Sequence, residues 1–284
     1  MKIGLIGYGF VGKALVNGLN DDVIVKIIDP LLHTKVDDLK AFGPEIIFIC
    51  VPTPMNSDGS QDLDILWSVI KDIKSLNLDT MVVLKSTVLP SHLDEIINQF
   101  KSFVLNPEFL KENSANEDFI NPSMILFGGD QEDCNKLSNF YKKYTKCKTE
   151  DYVFVDVITA SLIKYSINSF LATKVIFFNE LKNIFDKSGS SDMWEDFTEI
   201  LSLDNRIGKS HMQVPGPDGR FGFGGACLPK DLSAIMKFAD SLGIKLNVLN
   251  AVNICNNNIR ASYNTNTERE NEQNISYKAD EEKN

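Results

Sequence analysis

Three histidines in 284 residues leave little material for a histidine-built metal centre or a Ser-His-Asp arrangement, so those two chemistries drop out first. The five cysteines, Cys50, Cys134, Cys147, Cys227 and Cys255, are odd in number, widely separated and never in C-x-x-C spacing. That excludes a disulfide framework and a zinc knuckle; free thiols and no metal are expected. Basic residues are outnumbered 29 to 39, and a net charge of −10 argues against nucleic acid held on a broad basic face. No apolar run approaches the roughly 18 residues of a membrane span. The N-terminus moves straight into a glycine-punctuated strand, without the basic and apolar parts of a leader. No membrane partner and a cytoplasmic location are therefore expected. With 43% hydrophobic and 24% charged residues, the chain also fits neither wholesale disorder nor a collagen or coiled-coil repeat.

What is present is a βαβα rhythm over the first half, which implies a parallel sheet covered by helices. Strands are expected near Lys2–Ile6, Val23–Ile28, Ile46–Val51, Met81–Lys85, Ser102–Leu105 and Met124–Phe127, with helices such as Val11–Leu19, Leu63–Ser75 and Ser91–Phe100 between them. From about Asp156 the pattern turns helical: Ala160, Ile163, Ile167, Leu171, Val175 and Phe178 recur at helical spacing. The expected division is a Rossmann-like, doubly wound α/β domain over 1–155, a mainly helical domain over 156–260 and a disordered tail over 261–284, where apolar residues nearly vanish. A Pro/Gly-rich segment, Val214 to Gly225, interrupts the helices and is too glycine-dense to be a simple turn.

Gly7-Tyr8-Gly9-Phe10-Val11-Gly12 is G-x-G-x-x-G placed directly after the first strand and opening a helix, and Asp29 ends the second strand about 17 residues later. Tight-turn glycines, a helix N-terminus and a carboxylate for the ribose hydroxyls are what a dinucleotide needs. A carboxylate there would repel a 2′-phosphate, so NAD is favoured over NADP. Val51-Pro52-Thr53-Pro54 and Ser86-Thr87 follow the third and fourth strands, at the edge where open α/β sheets take ligands, although ordinary turn chemistry explains them equally well. Asn106-Pro-Glu-Phe-Leu-Lys-Glu112 follows the fifth strand and, taken alone, reads as surface charge complementing a helix start. Lys164 and Asn168 share a helix face at i, i+4, fit either to donate to a developing oxyanion or to form a solvated stripe. Gly222-Phe-Gly-Gly-Ala-Cys-Leu-Pro-Lys-Asp231 is the sharpest signal, because Cys227 lies between a glycine loop and a helix start with a lysine close by. Such settings lower a thiol's pKa; the other four cysteines are expected to be buried and inert, and Cys134 and Cys147 lack any comparable setting.

GYGFVG, CVPTP, KSTVLP, NPEFLKE, the K-x-x-x-N pair and FGFGGACLPKD, taken in this order across residues 1–260, resemble the UDP-glucose/GDP-mannose dehydrogenase family. The resemblance implies an NAD-dependent, four-electron oxidation of a nucleotide sugar's C6 alcohol to the uronic acid. UDP-glucose is the expected substrate, with GDP-mannose and UDP-N-acetylhexosamines left open. It assigns Cys227 as the nucleophile, Lys164 and Asn168 as oxyanion donors, Asp231 and Thr87 to an ordered water and proton transfer, and Glu108 to general acid/base work. Cofactor contacts are implied for Gly7, Tyr8, Gly9, Phe10, Val11, Gly12, Asp29, Val51, Pro52, Thr53, Ser86, Thr87 and Glu112. Substrate contacts are implied for Glu108, Phe109, Leu110, Lys111, Glu112, Lys164 and Asn168, and Arg206 is expected to reach a neighbouring subunit's sugar in a homodimer.

Three departures stand out. Thr159-Ala-Ser161 replaces an E-A-E of the family, the His211–Gly219 stretch is longer than the usual substrate loop, and the family's third, nucleotide-gripping domain has no counterpart in these residues. The loop from His211 to Phe221, with Arg220 as its cation and Gly224 just beyond it, is therefore expected to close over the diphosphate. Two competing readings are a β-hydroxyacid dehydrogenase, which makes one hydride transfer and needs no cysteine, and a non-catalytic NAD-binding assembly subunit.

Overall fold

The computed structural model describes residues 1–279. These form two compact units, one of residues 1–53 with 62–164 and one of residues 54–61 with 165 onward.

The first unit runs β1 (Lys2–Ile6), α1 (Phe10–Asn17), β2 (Ile24–Ile28), α2 (Asp38–Phe42), β3 (Ile46–Ile49), α3 (Asp64–Leu76), β4 (Met81–Leu84), α4 (Pro90–Ile97), β5 (Phe103–Leu105), α5 (Ala115–Ile120), β6 (Ile125–Gly129), α6 (Gln131–Tyr144) and β7 (Tyr152–Val155), then the start of α7 (Val157–Lys187). The strands form one sheet in the order β2-β1-β3-β4-β5-β6-β7, parallel throughout except for the β5/β6 pair. The strand pattern explains this burial. Ile47 and Ile49 of β3 and Val82 and Leu84 of β4 feed one apolar cluster, whereas Ile46, Phe48, Met81 and Val83 feed another. Alternate residues thus face opposite helical layers, and a central parallel strand reads as an unbroken apolar run. Edge strand β2 is only partly covered and tolerates Lys26.

The second unit continues α7 from Tyr165 and adds α8 (Trp194–Ser202), α9 (Leu228–Ser241), α10 (Asn247–Arg260) and α11 (Glu268–Glu272). Ala172, Ile176, Phe223, Leu232 and Val252 form one core, and Phe178, Trp194, Met212 and Val214 a second. No helix among the described residues is long and apolar enough to cross a membrane.

The structure differs from the sequence expectation in four places. Most strand ends are trimmed by a residue or two while β6 runs on to Gly129, and β7 and α6 were not anticipated. The short segment 54–61, which interrupts the first half, belongs with the second unit: Met55 and Gln61 bridge, and Gln61 donates to the Tyr165 hydroxyl at 3.2 Å. The tail expectation fails for residues 261–279. There α11 is closed by a capping box between Thr267 and Glu270, and Ile275 is buried. Its scarce apolar residues misled because the segment is held by a buried charge network rather than by an apolar face. The remainder of that expectation, from residue 280, lies outside the described residues.

Candidate functional site

In the first unit the sheet reverses its strand order between β1 and β3, so the loops after these strands flank a crevice of the kind that takes ligands in open α/β sheets. Gly7 sits there with φ of 92°, and a Cβ on it would lie 2.7 Å from the Cys50 carbonyl oxygen. A Cβ on Gly12 would fall 2.3 Å from the Gly7 carbonyl oxygen. Both positions therefore exclude side chains through close backbone approach, Gly7 to the end of β3 and Gly12 within the turn itself. Gly9 is different. Its Cβ would meet nothing within 4 Å, so the opening faces outward at the N-terminus of α1. This leaves room for a diphosphate on the α1 backbone amides, which fits a dinucleotide. Asp29 is pinned, with Oδ2 accepting from Tyr8 N–H at 2.7 Å and Oδ1 from Leu31 N–H at 2.9 Å. Each carboxylate oxygen still has a lone pair for a ribose hydroxyl. Phe10 and Val11 open α1, whose first turn carries no acidic residue.

Val51, Pro52, Thr53, Ser86 and Thr87 follow β3 and β4 and tie the two strand ends together. Ser86 Oγ donates to the Val51 carbonyl at 2.7 Å, and Thr53 Oγ1 donates to the Thr87 carbonyl at 3.0 Å. Beside them Lys85, which the sequence reading passed over, is buried and donates to Asn106 Oδ1 at 2.9 Å. Tyr141 OH donates to the same oxygen at 2.6 Å, and Asn106 Nδ2 donates to the Leu126 carbonyl at 2.9 Å. This network fixes the turn leading to Glu108. Its sequence signal was a lysine directly after the apolar strand MVVL. Burial lowers the pKa of the Lys85 ammonium, opposed by the nearby Cys50 and Glu108. Burial also pushes the Cys50 thiol up to about 12, so Cys50 is inert near neutral pH.

Glu108 and Lys164 form a buried ion pair. Lys164 Nζ donates to the Glu108 carbonyl at 2.6 Å and to Oε1 at 3.2 Å, with side-chain exposures of 5% for the lysine and 8% for the glutamate. Glu108 Oε2 also accepts from Leu110 N–H at 2.6 Å. The Phe109 ring lies 5.3 Å from the Lys164 ammonium. Lys111 and Glu112 are exposed, and Lys111 is tied to Asp118 through its backbone N–H at 2.8 Å. At the Thr159-Ala-Ser161 stretch, Asp156 caps α7: its Oδ1 and Oδ2 accept from Thr159 N–H and Oγ1 at 2.9 and 2.6 Å. Ser161 Oγ donates to the Val88 carbonyl.

In the second unit Cys227 is the N-cap residue of α9, half-buried and free of any disulfide. Its carbonyl accepts from Asp231 N–H at 3.0 Å. Asp231 is buried, with Oδ2 accepting from Asn168 Nδ2 and Oδ1 from Lys230 Nζ, both at 2.6 Å. A buried carboxylate so paired has little freedom to move, and it fixes the first turn of α9 behind the cysteine. Gly224 lies in the loop before Cys227. Arg206 is 89% exposed in its side chain and is paired with Asp204. Arg220 donates to the Thr265 carbonyl at 2.6 Å and lies 5.0 Å over the Tyr263 ring, while Phe221 N–H donates to the Tyr263 hydroxyl at 2.9 Å.

Comparison with known proteins shows the family of the chain and its fold. Residues 31–145 match the NAD binding domain of the UDP-glucose/GDP-mannose dehydrogenase family, and residues 158–258 match its central domain. A UDP-glucose 6-dehydrogenase of Rickettsia felis is 33% identical over 295 residues, covering 89% of this chain. The chain spans 64% of the length of that relative. Among solved structures, a UDP-glucose dehydrogenase from the archaeon Pyrobaculum islandicum aligns with a TM-score of 0.72 at 27% identity, covering 90% of this chain and 67% of the other. A 3-hydroxyisobutyrate dehydrogenase of Mycobacterium tuberculosis shares the fold, with a TM-score of 0.66 at 16% identity, covering 88% of this chain and 90% of the other.

Proposed function

Since the chain belongs to the UDP-glucose/GDP-mannose dehydrogenase family, we propose that it takes part in the NAD-dependent, four-electron oxidation of a nucleotide sugar's C6 alcohol, UDP-glucose to UDP-glucuronate. Bound NAD supplies the hydride acceptor. It would be held by the Gly7–Gly12 turn, with Asp29 on its ribose and the Val51–Thr53, Ser86–Thr87 and Glu112 backbone along its edge.

The residues of the chain supply the rest. Cys227 Sγ adds to the C6 aldehyde as a thiohemiacetal; oxidation of that adduct leaves a thioester, and water cleaves it to the acid and the free thiol. Covalent capture keeps the aldehyde from escaping between the two oxidations, and a thioester is a good acyl donor to water. Lys164 and Asn168 are the donors for the alkoxide and oxyanion charge. Fixed donors are worth most there because they need no reorganisation as charge develops. Glu108 and Thr87 serve proton transfer, and Asp231 orders the water. Glu108 to Glu112, Phe221 and Gly224 are assigned to substrate contact. The observation that carries this reading is the buried Asn168–Asp231–Lys230 chain directly behind Cys227, a polar investment that an inert structural cysteine does not require.

NADH yield per sugar tests it. Incubation with UDP-glucose, GDP-mannose and UDP-N-acetylhexosamines should give two NADH per molecule with one of them. One NADH per molecule would mean a hydroxyacid-type single transfer, and none with any sugar would favour an assembly subunit.

Cofactor choice follows from Asp29. Calorimetry should show NAD binding at least about tenfold tighter than NADP, because a 2′-phosphate would face a pinned carboxylate. Equal affinities would remove Asp29 from the ribose.

A homodimer is the proposed assembly. Phe170, Phe177 and Ile184 recur every seven residues along α7 with exposures of 63%, 55% and 65%, a stripe suited to a second helix. Arg206 is the proposed contribution to the neighbour's site. Sedimentation across a concentration series should find the dimer; a monomer at every concentration would count against the stripe and Arg206 alike.

A further inference from the structure

The glycines before Cys227 are explained by what lies against them. A Cβ on Gly222, whose φ is 73°, would come within 2.6 Å of Asn256 Oδ1 and 3.3 Å of Arg260 Cδ. A Cβ on Gly224 would come within 2.3 Å of both Arg260 Nη2 and Glu270 Oε1. Between them Asn256 brackets Phe223, its Oδ1 accepting from Phe223 N–H at 2.7 Å and its Nδ2 donating to the Phe223 carbonyl at 3.1 Å. The loop is thus laid directly on the last two turns of α10.

Arg260 is buried completely and holds the loop from two sides. Nη1 donates to Asp218 Oδ2 at 2.7 Å, earlier in the same loop, and Nη2 donates to Glu270 Oε1 at 2.5 Å. Glu270 is also fully buried, and its remaining capacity is used within the C-terminal segment: Tyr277 OH donates to Oε1 and Thr267 N–H to Oε2, each at 2.7 Å. Burial alone would raise the pKa of the Glu270 carboxyl, but Thr267 N–H, Tyr277 OH and Arg260 together hold it below the ordinary range. The segment is fastened at its far side by the Met55 N–H bond to the Gln273 carbonyl at 3.1 Å and by Asn266 Nδ2 on the Ile275 carbonyl at 2.7 Å.

A buried ion pair is poor value as stabilisation, because desolvation offsets most of the attraction; its best-attested use is to select one register over its neighbours. From this we propose that Arg260 and Glu270 are positioning residues for the Cys227 loop, and that residues 261–277 act as a clamp that sets the presentation of the Cys227 thiol. The clamp stands on packing alone. Its functional meaning rests on the reading of Cys227 as the nucleophile.

The experiment is alkylation of the 284-residue chain with iodoacetamide, each cysteine followed by peptide mass spectrometry. Glu270→Ala should change the Cys227 rate about tenfold by freeing the loop, while Cys255 on α10 stays within about twofold of the wild type. An unchanged Cys227 rate overturns the proposal. So does a parallel change at Cys255, which would mean that the helix itself had loosened. Should Glu270→Ala fail to fold, Tyr277→Phe removes only one hydroxyl and should shift Cys227 in the same direction by about threefold, and no shift there overturns the clamp. The assay needs no sugar or NAD. A chain that shows the alkylation shift without dehydrogenase activity would therefore retain the clamp and lose the proposed reaction.

Discussion

The Cys227→Ser variant should consume NAD slowly in the presence of substrate and release almost no acid. A serine alkoxide is scarcely available near neutral pH, and an ester yields to water less readily than a thioester. Acid formation should fall on the order of 10³-fold or more, as expected when the atom that carries the covalent step is removed. Aldehyde should appear in solution, or a sugar adduct should be trapped on the serine, and intact-mass spectrometry after incubation with NAD and UDP-glucose distinguishes the two. NAD affinity should be unchanged. Acid formed at the wild-type rate by this variant would end the covalent mechanism.

Lys164→Met should be nearly as damaging, for two separable reasons. Loss of one oxyanion donor costs about 10² to 10³ in kcat. Loss of the ammonium also leaves the Glu108 carboxylate, only 8% exposed, without its cation. Breaking a buried pair from one side costs about 3–5 kcal/mol, because the stranded charge keeps its desolvation penalty. The double variant Lys164→Met/Glu108→Gln separates the two effects. Thermal unfolding should recover most of the lost stability, and kcat should not recover. Recovery of both would make Lys164 a structural residue only, and recovery of neither would show that its bond to the Glu108 carbonyl carries the effect.

The parts of this architecture written in local pattern were legible from the residues. The Gly7–Gly12 turn, the apolar strands β3 and β4 and the helical spacing of α7 each follow from backbone sterics or from burial of one stripe. Cys227 stands out in sequence because a glycine loop, a helix start and Lys230 all lie next to it along the chain. Lys85 and Glu108 were harder. The partners that give them meaning, Asn106, Tyr141 and Lys164, come from other elements, and a buried polar group announces itself only through partners distant in sequence. The C-terminal segment was misjudged for the same reason. Composition suggested that it could not bury enough apolar surface to order itself, whereas Glu270 orders it through Arg260 and Thr267. The places of Thr265 and Tyr263 beside Arg220 are likewise invisible in its local sequence.

The short segment 54–61 has a consequence for how the molecule comes into being. It is synthesised before four of the seven strands of the sheet, yet it is completed by residues made far later: the Gly59 carbonyl accepts from Ser233 Oγ at a separation of 174 positions, and Met55 N–H waits for Gln273. Closing so long a loop costs little more entropy than closing a shorter one, so the delay is one of order rather than of energy. A ribosome delivering the chain from its N-terminus must leave this hairpin unsatisfied until Ser233 and Gln273 have emerged. A fragment cut at residue 156 to isolate the helical half would therefore start life without its own hairpin, and co-expression of the two pieces should succeed where the helical piece alone aggregates.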